Sequence, residues 1–585
     1  RPGMEGATAP ADDGGDLEPH GAGADAPGTA DEGQRAFVVG GLPKWFAPKE
    51  LEKVLADHGV AGIDKAMQAG PGMGRVRMKT PEDAQAALAV LEGKEVVFRK
   101  RTIRFSAAAG RQKRKADDVD GGGAPAAAPD VTDVVTPLHA LPYPEQLQRK
   151  RNQVRRVLLD LTKRLKGTGL SAPWLSREAL RETKGACCPL EEVLPSPQLD
   201  GYRNKCEFTA GLDGEGRPSL GFRVGRYRHG STQVADPAPC RNVSPGMKAV
   251  AAAFSAAMRV SPLAPYSMDT RAGFWRQLLV RENRAGELLV SVQVSMDGTP
   301  KEQADREVEA ALRAATAAAN VVSAHVQVFS GVSVAPADHP HELVFGAAAI
   351  LESVDSLKFR ISPNAFFQVN TPAAERLGHL LARCLEQEAG DGAVLLDVCC
   401  GAGMWGLCLA SRAGRVVGIE LSADAVQDAR HNAEANGVAN AVFRCGPAER
   451  LMDGAVREVV GQRVVAIVDP PRAGLHAAVV KALRACAGLD RLIYVSCNPK
   501  SWLLDAERLC RPESKNYTGE PFVPVRAYPV DLFPHTEHCE LVVVFARGAA
   551  AAAAAPVGAG GAGHAGAGAA APGADGTLGD AAGAG

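Results

Sequence analysis

Leu492-Ile493-Tyr494-Val495-Ser496-Cys497-Asn498-Pro499 decides the fold. An apolar run of β character is cut off by a small polar residue, a cysteine and an Asn-Pro turn signal. A cysteine just past the carboxyl end of a buried strand sits where open α/β sheets keep their ligand crevice. Two other runs end in a comparable way. Leu395-Leu396-Asp397-Val398-Cys399-Cys400-Gly401-Ala402-Gly403 closes in a glycine turn, and Val464 to Val468 runs into Asp469-Pro470-Pro471-Arg472. Across 357–547, strands at 394–399, 415–420, 440–444, 464–469 and 491–496 alternate with helical patterns, and two more strands lie near 522–528 and 539–545. This alternation predicts a doubly wound, Rossmann-like α/β domain.

Upstream, residues 200–356 read as an antiparallel, β-rich central domain, interrupted by one helix at Lys301 to Ala319. Arg223, Arg226, Arg228, Arg241, Arg276 and Arg281 fall at its strand ends and turns, which suits phosphate contact with an RNA substrate. Residues 141–199 form a basic helical region. Leu147, Val154, Val157, Leu158, Leu161 and Leu165 make an apolar stripe, and Arg149, Lys150, Arg151, Arg155, Arg156, Lys163 and Arg164 crowd the remaining surface. A helix docked by one face with its basic face outward fits a polyanion the size of tRNA, a solvated charged face being the alternative.

Residues 35–107 show a βαββαβ pattern that resembles an RNA-recognition motif, an α+β domain. Phe37 falls at the base-stacking position of its first strand. Met73 and Arg75 stand where that family usually carries aromatics, and Arg75 substitutes in part by planar stacking. Weak RNA binding and protein contact are both open for this module. The basic run from Arg99 to Lys115 reads as a phosphate-contacting edge, a nuclear localisation signal or a solvated tail. Residues 108–140 form a basic and Gly/Ala/Pro linker, while 1–34 and the Ala/Gly tail 548–585 are expected to be disordered.

At 585 residues the chain has room for several domains, and its net charge of −1 hides basic and acidic stretches that offset each other. Thirteen unevenly spaced cysteines fit reduced thiols, so the cytosol is the expected compartment, with the nucleus as a second. No charged-then-apolar leader opens the chain and no apolar run is long enough for a membrane span. Cys187, Cys188, Cys206 and Cys240 lack the close spacing of an iron–sulfur site, so neither cluster nor metal is expected.

A strand entering Asp-x-x-x-Gly-x-Gly and then a helix is a nucleotide-type turn, used by dinucleotide and S-adenosylmethionine folds alike. Glu420 ends the next strand at the distance of an acid that takes a ribose hydroxyl pair. No third glycine follows at dinucleotide spacing, and Asp-Pro-Pro after the fourth strand is where S-adenosylmethionine enzymes bring substrate and donor together. S-adenosyl-L-methionine is therefore the expected cofactor.

Four longer stretches, in order, are Ile361 to Thr371, Asp469 to Leu475, Ser496 to Pro499 and Asp531 to Glu540. Together they resemble the RNA (uracil-5-)-methyltransferases over roughly residues 200–547. The resemblance implies methylation of uridine C5 in RNA, with tRNA as partner and its T-loop uridine 54 as target. It implies Cys497 as nucleophile toward uracil C6 and Glu540 as general base, with Glu537 a rival. Asp469 and Arg472 would assist, and Gln368, Gly401, Gly403, Glu420 and Asp469 would hold the donor. A soft thiolate suits conjugate addition, and a carboxylate suits the proton removal that must follow. His535 and His538 read as hydrogen-bonding scaffold. Relatives often carry an aromatic and an amide where Cys399 and Met404 stand, which weakens donor contact there. The same chemistry on ribosomal or messenger RNA, and a non-catalytic RNA-binding or chaperone protein on this fold, remain as alternatives.

Overall fold

The computed structural model describes residues 35–43, 46–70, 73–91, 94, 96–99, 101–107, 130–224, 233–331, 335–336, 339–389 and 392–548. The segments 1–34, 108–129 and 549–585 fall outside it, as do Arg226 and Arg228. Two compact units divide the chain between Ala126 and Ala127.

In the first unit an antiparallel sheet runs in the order Ile63–Gly70, Met73–Met78, Ala36–Gly40, Arg101–Ala107, Val96–Phe98. The helices Pro48–Asp57 and Pro81–Leu91 pack on one of its faces, closing a core. Phe37 lies in that core, fully buried and edge-on to Phe105. This corrects the expected stacking role, because strand alternation turns Phe37 inward and gives the opposite face to its neighbour Val38. Val38 pairs with Arg75, so Arg75 does lie on the expected face, half-exposed. The described aromatics of this unit, Phe37, Phe46, Phe98 and Phe105, all belong to the core.

In the second unit the strands of the catalytic sheet stand in the order Ala441–Cys445, Arg415–Glu420, Val394–Val398, Val464–Val468, Leu489–Ser496, Glu540–Ala546, Val523–Val530. The first five are parallel, and Glu540–Ala546 runs against both its neighbours. Strands such as Val464–Val468 are buried at every residue, as helices on both faces of a sheet require. The order reverses between Val394–Val398 and Val464–Val468, which opens the crevice of a doubly wound sheet. Because Glu540–Ala546 is reversed, its first residue lies at the edge where the parallel strands end.

The central sheet runs Glu342–Gly346, Val321–Val328, Leu288–Val294, Trp275–Glu282, Lys205–Leu212, Pro218–Arg223, Val234–Ala235. One pair departs from the antiparallel expectation: Leu288–Val294 and Val321–Val328 are parallel, since the helix Lys301–Ala318 carries the chain back between them. A second helix, Pro245–Val260, was not foreseen. This sheet belongs to the same compact unit as the catalytic one. Asn204 Nδ2 donates to Gln368 O at 2.8 Å and to Thr371 Oγ1 at 2.9 Å, and Arg281 donates to Pro363 O at 3.2 Å and to Ala365 O. Central-domain side chains thus shape the loop that carries Gln368.

Several arginines expected to meet phosphate are engaged by other groups of the protein. Arg281 is buried, and that burial pulls its guanidinium down to about 10. Arg276 is buried over the Tyr266 ring, 3.9 Å from its centroid. Arg241 pairs with Asp200 at 2.7 Å. Arg223 ends its strand exposed.

The helix Tyr143–Gly167 forms as its apolar periodicity predicts, burying Val154, Leu158, Leu161 and Leu165. Its basic face differs from expectation. Lys150 is fully buried, its ammonium 2.6 Å from Asp531 Oδ1 and 2.9 Å from Phe533 O. Arg149 pairs with Glu537 at 2.5 Å, and Arg164 with Glu507 at 3.2 Å. Much of this helix's charge therefore docks it onto the catalytic domain.

Candidate active site

Four segments reach one edge of the catalytic sheet. Cys497 follows the last residue of Leu489–Ser496, and Asn498 caps the next helix by accepting from Lys500 N at 3.2 Å. Asn498 Nδ2 also donates to Arg472 O at 2.7 Å, tying the Asp-Pro-Pro-Arg turn to the cysteine turn. Leu541 pairs with Ser496, so the preceding Glu540 comes level with the cysteine turn. Cys497 and Arg472 line a cleft of about 250 Å³ with Arg203, Asn242, Phe533 and His538.

Behind Cys497 lies a group of carboxyls, Asp397 and Glu540 buried and Asp469 partly so. Asp469 Oδ2 accepts from Gln368 Nε2 at 3.1 Å and from Trp405 Nε1 at 3.0 Å. Burial still pushes Asp469 up to about 6. Glu540 is buried, and desolvation and the charge of Asp469 hold it well above the usual carboxylate range. Asp397, fully buried, is pushed up to about 7 by burial. Its Oδ2 accepts from Gly406 N at 2.8 Å, while its Oδ1 has no partner. The Cys497 thiol is pushed up to about 11 by burial, Glu540 and Asp469, with Arg472 opposing.

The glycine turn sits beside this group. Gly401 and Gly403 adopt φ of 55° and 83°, the left-handed region that glycine enters without strain. A Cβ on Gly403 would come within 3.0 Å of Phe443 and 3.1 Å of Ala429, so glycine also permits close helix–strand packing. Glu420 Oε2 accepts from Gly401 N at 3.0 Å, linking the ends of adjacent strands. Cys399 shares the left-handed conformation at φ 66°, and Met404 is buried.

A family model described as tRNA (Uracil-5-)-methyltransferase matches residues 351–547. The tRNA (uracil-5-)-methyltransferase homolog A of Homo sapiens is 38% identical over 513 residues, covering 86% of this chain and 81% of the relative. The chain belongs to the tRNA (uracil-5-)-methyltransferase family. The human homolog B is 37% identical over 431 residues, 71% of this chain and 84% of that protein. Among solved structures, the Pyrococcus abyssi tRNA (uracil-54, C5)-methyltransferase in complex with S-adenosyl-L-homocysteine is 24% identical with a TM-score of 0.49, covering 70% of this chain and 84% of that one.

This methyltransferase acts on tRNA uracil at C5 and uses S-adenosyl-L-methionine as methyl donor. Its residues fit that donor on physical grounds. The donor is a sulfonium cation, and the site collects Asp397, Asp469 and Glu540, none of which a protein cation holds ionised among the described residues. Asp397 Oδ1 is unpartnered, and the glycine turn follows the end of the strand that carries it.

Of the methyltransferase residues read from sequence, Cys497, Arg472, Asp469 and Glu540 come together, with Gln368 bonded to Asp469. Gly401 and Glu420 are joined by the hydrogen bond above. Glu537 is exposed and paired with Arg149, away from the buried position that Glu540 holds. His535 is scaffold: its ring contacts Gln146 Nε2 at 3.2 Å and Asp200 Oδ1 at 3.1 Å. His538 lies at the cleft rim. Sequence reasoning missed Trp405, Asp397, Arg203 and Asn242. Asp397 carried a signal, as the acid that opens the glycine motif, whereas the other three converge from segments with no shared spacing.

Proposed function

We propose that this enzyme methylates the T-loop uridine at position 54 of tRNA through a covalent adduct on Cys497. The observation that carries the reading is that Cys497 and Arg472 line one cleft while Asp469 and Glu540 stand behind the thiol, close enough to raise it. A base stacked in a folded loop must swing out to enter it, at a cost of a few kcal/mol that phosphate contacts offset.

Uracil C5 is a poor nucleophile until a group adds at C6. The Cys497 sulfur bonds to C6, and the C5–C6 π electrons move onto the C4 carbonyl as an enolate. Arg472 stands at the cleft to stabilise that oxygen. Cys497 rests as a thiol and must lose its proton as it adds. Asp469, pushed only to about 6, is mostly ionised at neutral pH and takes that proton. S-adenosylmethionine would supply the electrophilic methyl group for C5, its S–CH3 bond breaking to leave neutral S-adenosylhomocysteine.

C5 then carries both hydrogen and methyl. Glu540 removes the hydrogen as a proton, the C5–C6 double bond re-forms, and the sulfur leaves C6. The charge of Asp469 is part of what holds Glu540 up. Once Asp469 has accepted the thiol proton, that repulsion is gone and Glu540 ionises more readily.

The test is a trap. With 5-fluorouridine at position 54 the C5 substituent cannot leave as a proton, so wild-type enzyme forms a lasting protein–tRNA adduct. Cys497→Ala forms none, and Glu540→Gln accumulates adduct on ordinary tRNA. Methylation at the normal rate by Cys497→Ala refutes the mechanism.

A further inference from the structure

Asn242 lies in the segment between the strand Val234–Ala235 and the helix Pro245–Val260, more than 250 positions before Cys497, yet it lines the same cleft. It is 2% exposed, and its Oδ1 has no hydrogen-bond partner. A buried amide oxygen left unpaired is unfavourable, and such a group in a binding cleft marks where a ligand donor belongs. The neighbours fix which end of the amide faces the cleft. Tyr202 donates its hydroxyl hydrogen to Pro534 O at 3.1 Å, leaving its oxygen lone pairs to accept from the Asn242 amide nitrogen. The backbone is held too, Asn242 O accepting from Arg203 N at 3.1 Å. Turning the amide over would set Oδ1 against the Tyr202 hydroxyl oxygen, two acceptors facing each other, and lose the Tyr202 contact.

We propose that Asn242 is a specificity residue that accepts a hydrogen bond from N3–H of the flipped uracil and thereby rejects cytosine. The inference rests on the uracil-methylation reading above and adds how the base is chosen. Uracil presents a donor at N3, flanked by two carbonyl acceptors that the Arg203 and Arg472 cations at the same cleft suit. Cytosine presents a lone pair at N3, which would oppose the lone pairs of Oδ1 and leave the buried oxygen unsatisfied. Discrimination by a buried polar group left unpaired is stronger than discrimination by shape alone.

The experiment uses the full chain and two tRNA transcripts, one with 5-fluorouridine and one with 5-fluorocytidine at the target position. The rate of adduct formation on each is measured for wild type, Asn242→Ala and Asn242→Ser. The expected result for Asn242→Ala is a loss of about tenfold on the fluorouridine substrate, the scale of one net hydrogen bond. The ratio of uridine to cytidine rates falls by at least as much, because the alanine no longer opposes cytosine N3. Asn242→Ser, whose hydroxyl can donate or accept, falls between. A uniform slowing on both substrates with the ratio unchanged overturns the proposal, as does no change on either. Should Asn242→Ala fail to fold, the ratio for Asn242→Ser decides. Failure of wild type to form any Cys497-dependent adduct refutes the parent mechanism instead, so the two failures are distinguishable.

Discussion

Replacing Trp405 by Phe removes one of the two donors that Asp469 Oδ2 accepts while keeping a ring in the packing. The Trp405 hydrogen bond pulls Asp469 downward against the desolvation that brings it to about 6. A hydrogen bond to a charged group contributes about 1.5–3 kcal/mol, or roughly one to two pKa units. Asp469 in Trp405→Phe should therefore titrate at about 7–8. If Asp469 takes the Cys497 proton, activity requires its ionised form. At pH 6.5 the ionised fraction then falls roughly three- to 25-fold, whereas near pH 9 both enzymes are fully ionised at this position. The assay is the pH profile of kcat/KM on tRNA from pH 5.5 to 9, with thermal melting to verify the fold. The acid limb should move up by about one to two units and the variant should recover at high pH. A loss of equal size at every pH, or an acid limb that does not move, refutes the role given to Asp469.

Two further outcomes follow from buried charge. Lys150→Met leaves Asp531 buried without its cation and should destabilise the enzyme by about 3–5 kcal/mol in urea unfolding, with part recovered by adding Asp531→Asn; a single variant within about 1 kcal/mol of wild type counts against the pair. Donor affinity should rise with pH as Asp469 and Asp397 ionise near about 6 and about 7, by up to about tenfold per pH unit for each group. Neutral S-adenosylhomocysteine should vary far less, so parallel pH curves for the two ligands in calorimetry would contradict the charge match.

The catalytic sheet was legible because its strands carry unbroken apolar runs that stop at chemically distinctive turns. The turn residues Cys497, Asp469 and Gly401 identified themselves by ending those runs, and the reversed last strand then delivers Glu540 to the same edge. Burial of polar side chains was far less legible. Lys150 stands among arginines such as Arg149 and Arg164 whose side chains stay partly exposed, and the distant Asp531 and Phe533 carbonyl make its burial possible. Arg281 likewise answers to carbonyls at Pro363 and Ala365, beyond the reach of any local pattern. At Phe37 the alternation was visible but not which phase faced the helices, and a shift of one residue exchanges the two faces. Asn242 and Trp405 owe their places to tertiary contact alone.

The clasp between Lys150 and Asp531 spans 381 positions of the chain. On a ribosome adding about 5–20 residues per second, the helix that bears Lys150 waits roughly 20–80 s for its counter-charge to emerge. Through that interval its leucine stripe has no sheet to cover it, which makes the nascent polypeptide a natural client for holding chaperones. Because the late-made pair of strands Val523–Val530 and Glu540–Ala546 brings both Asp531, in its connection, and Glu540, docking of the early helix and arrival of the base are bound into one closing event, and a half-made enzyme has no assembled site with which to engage tRNA.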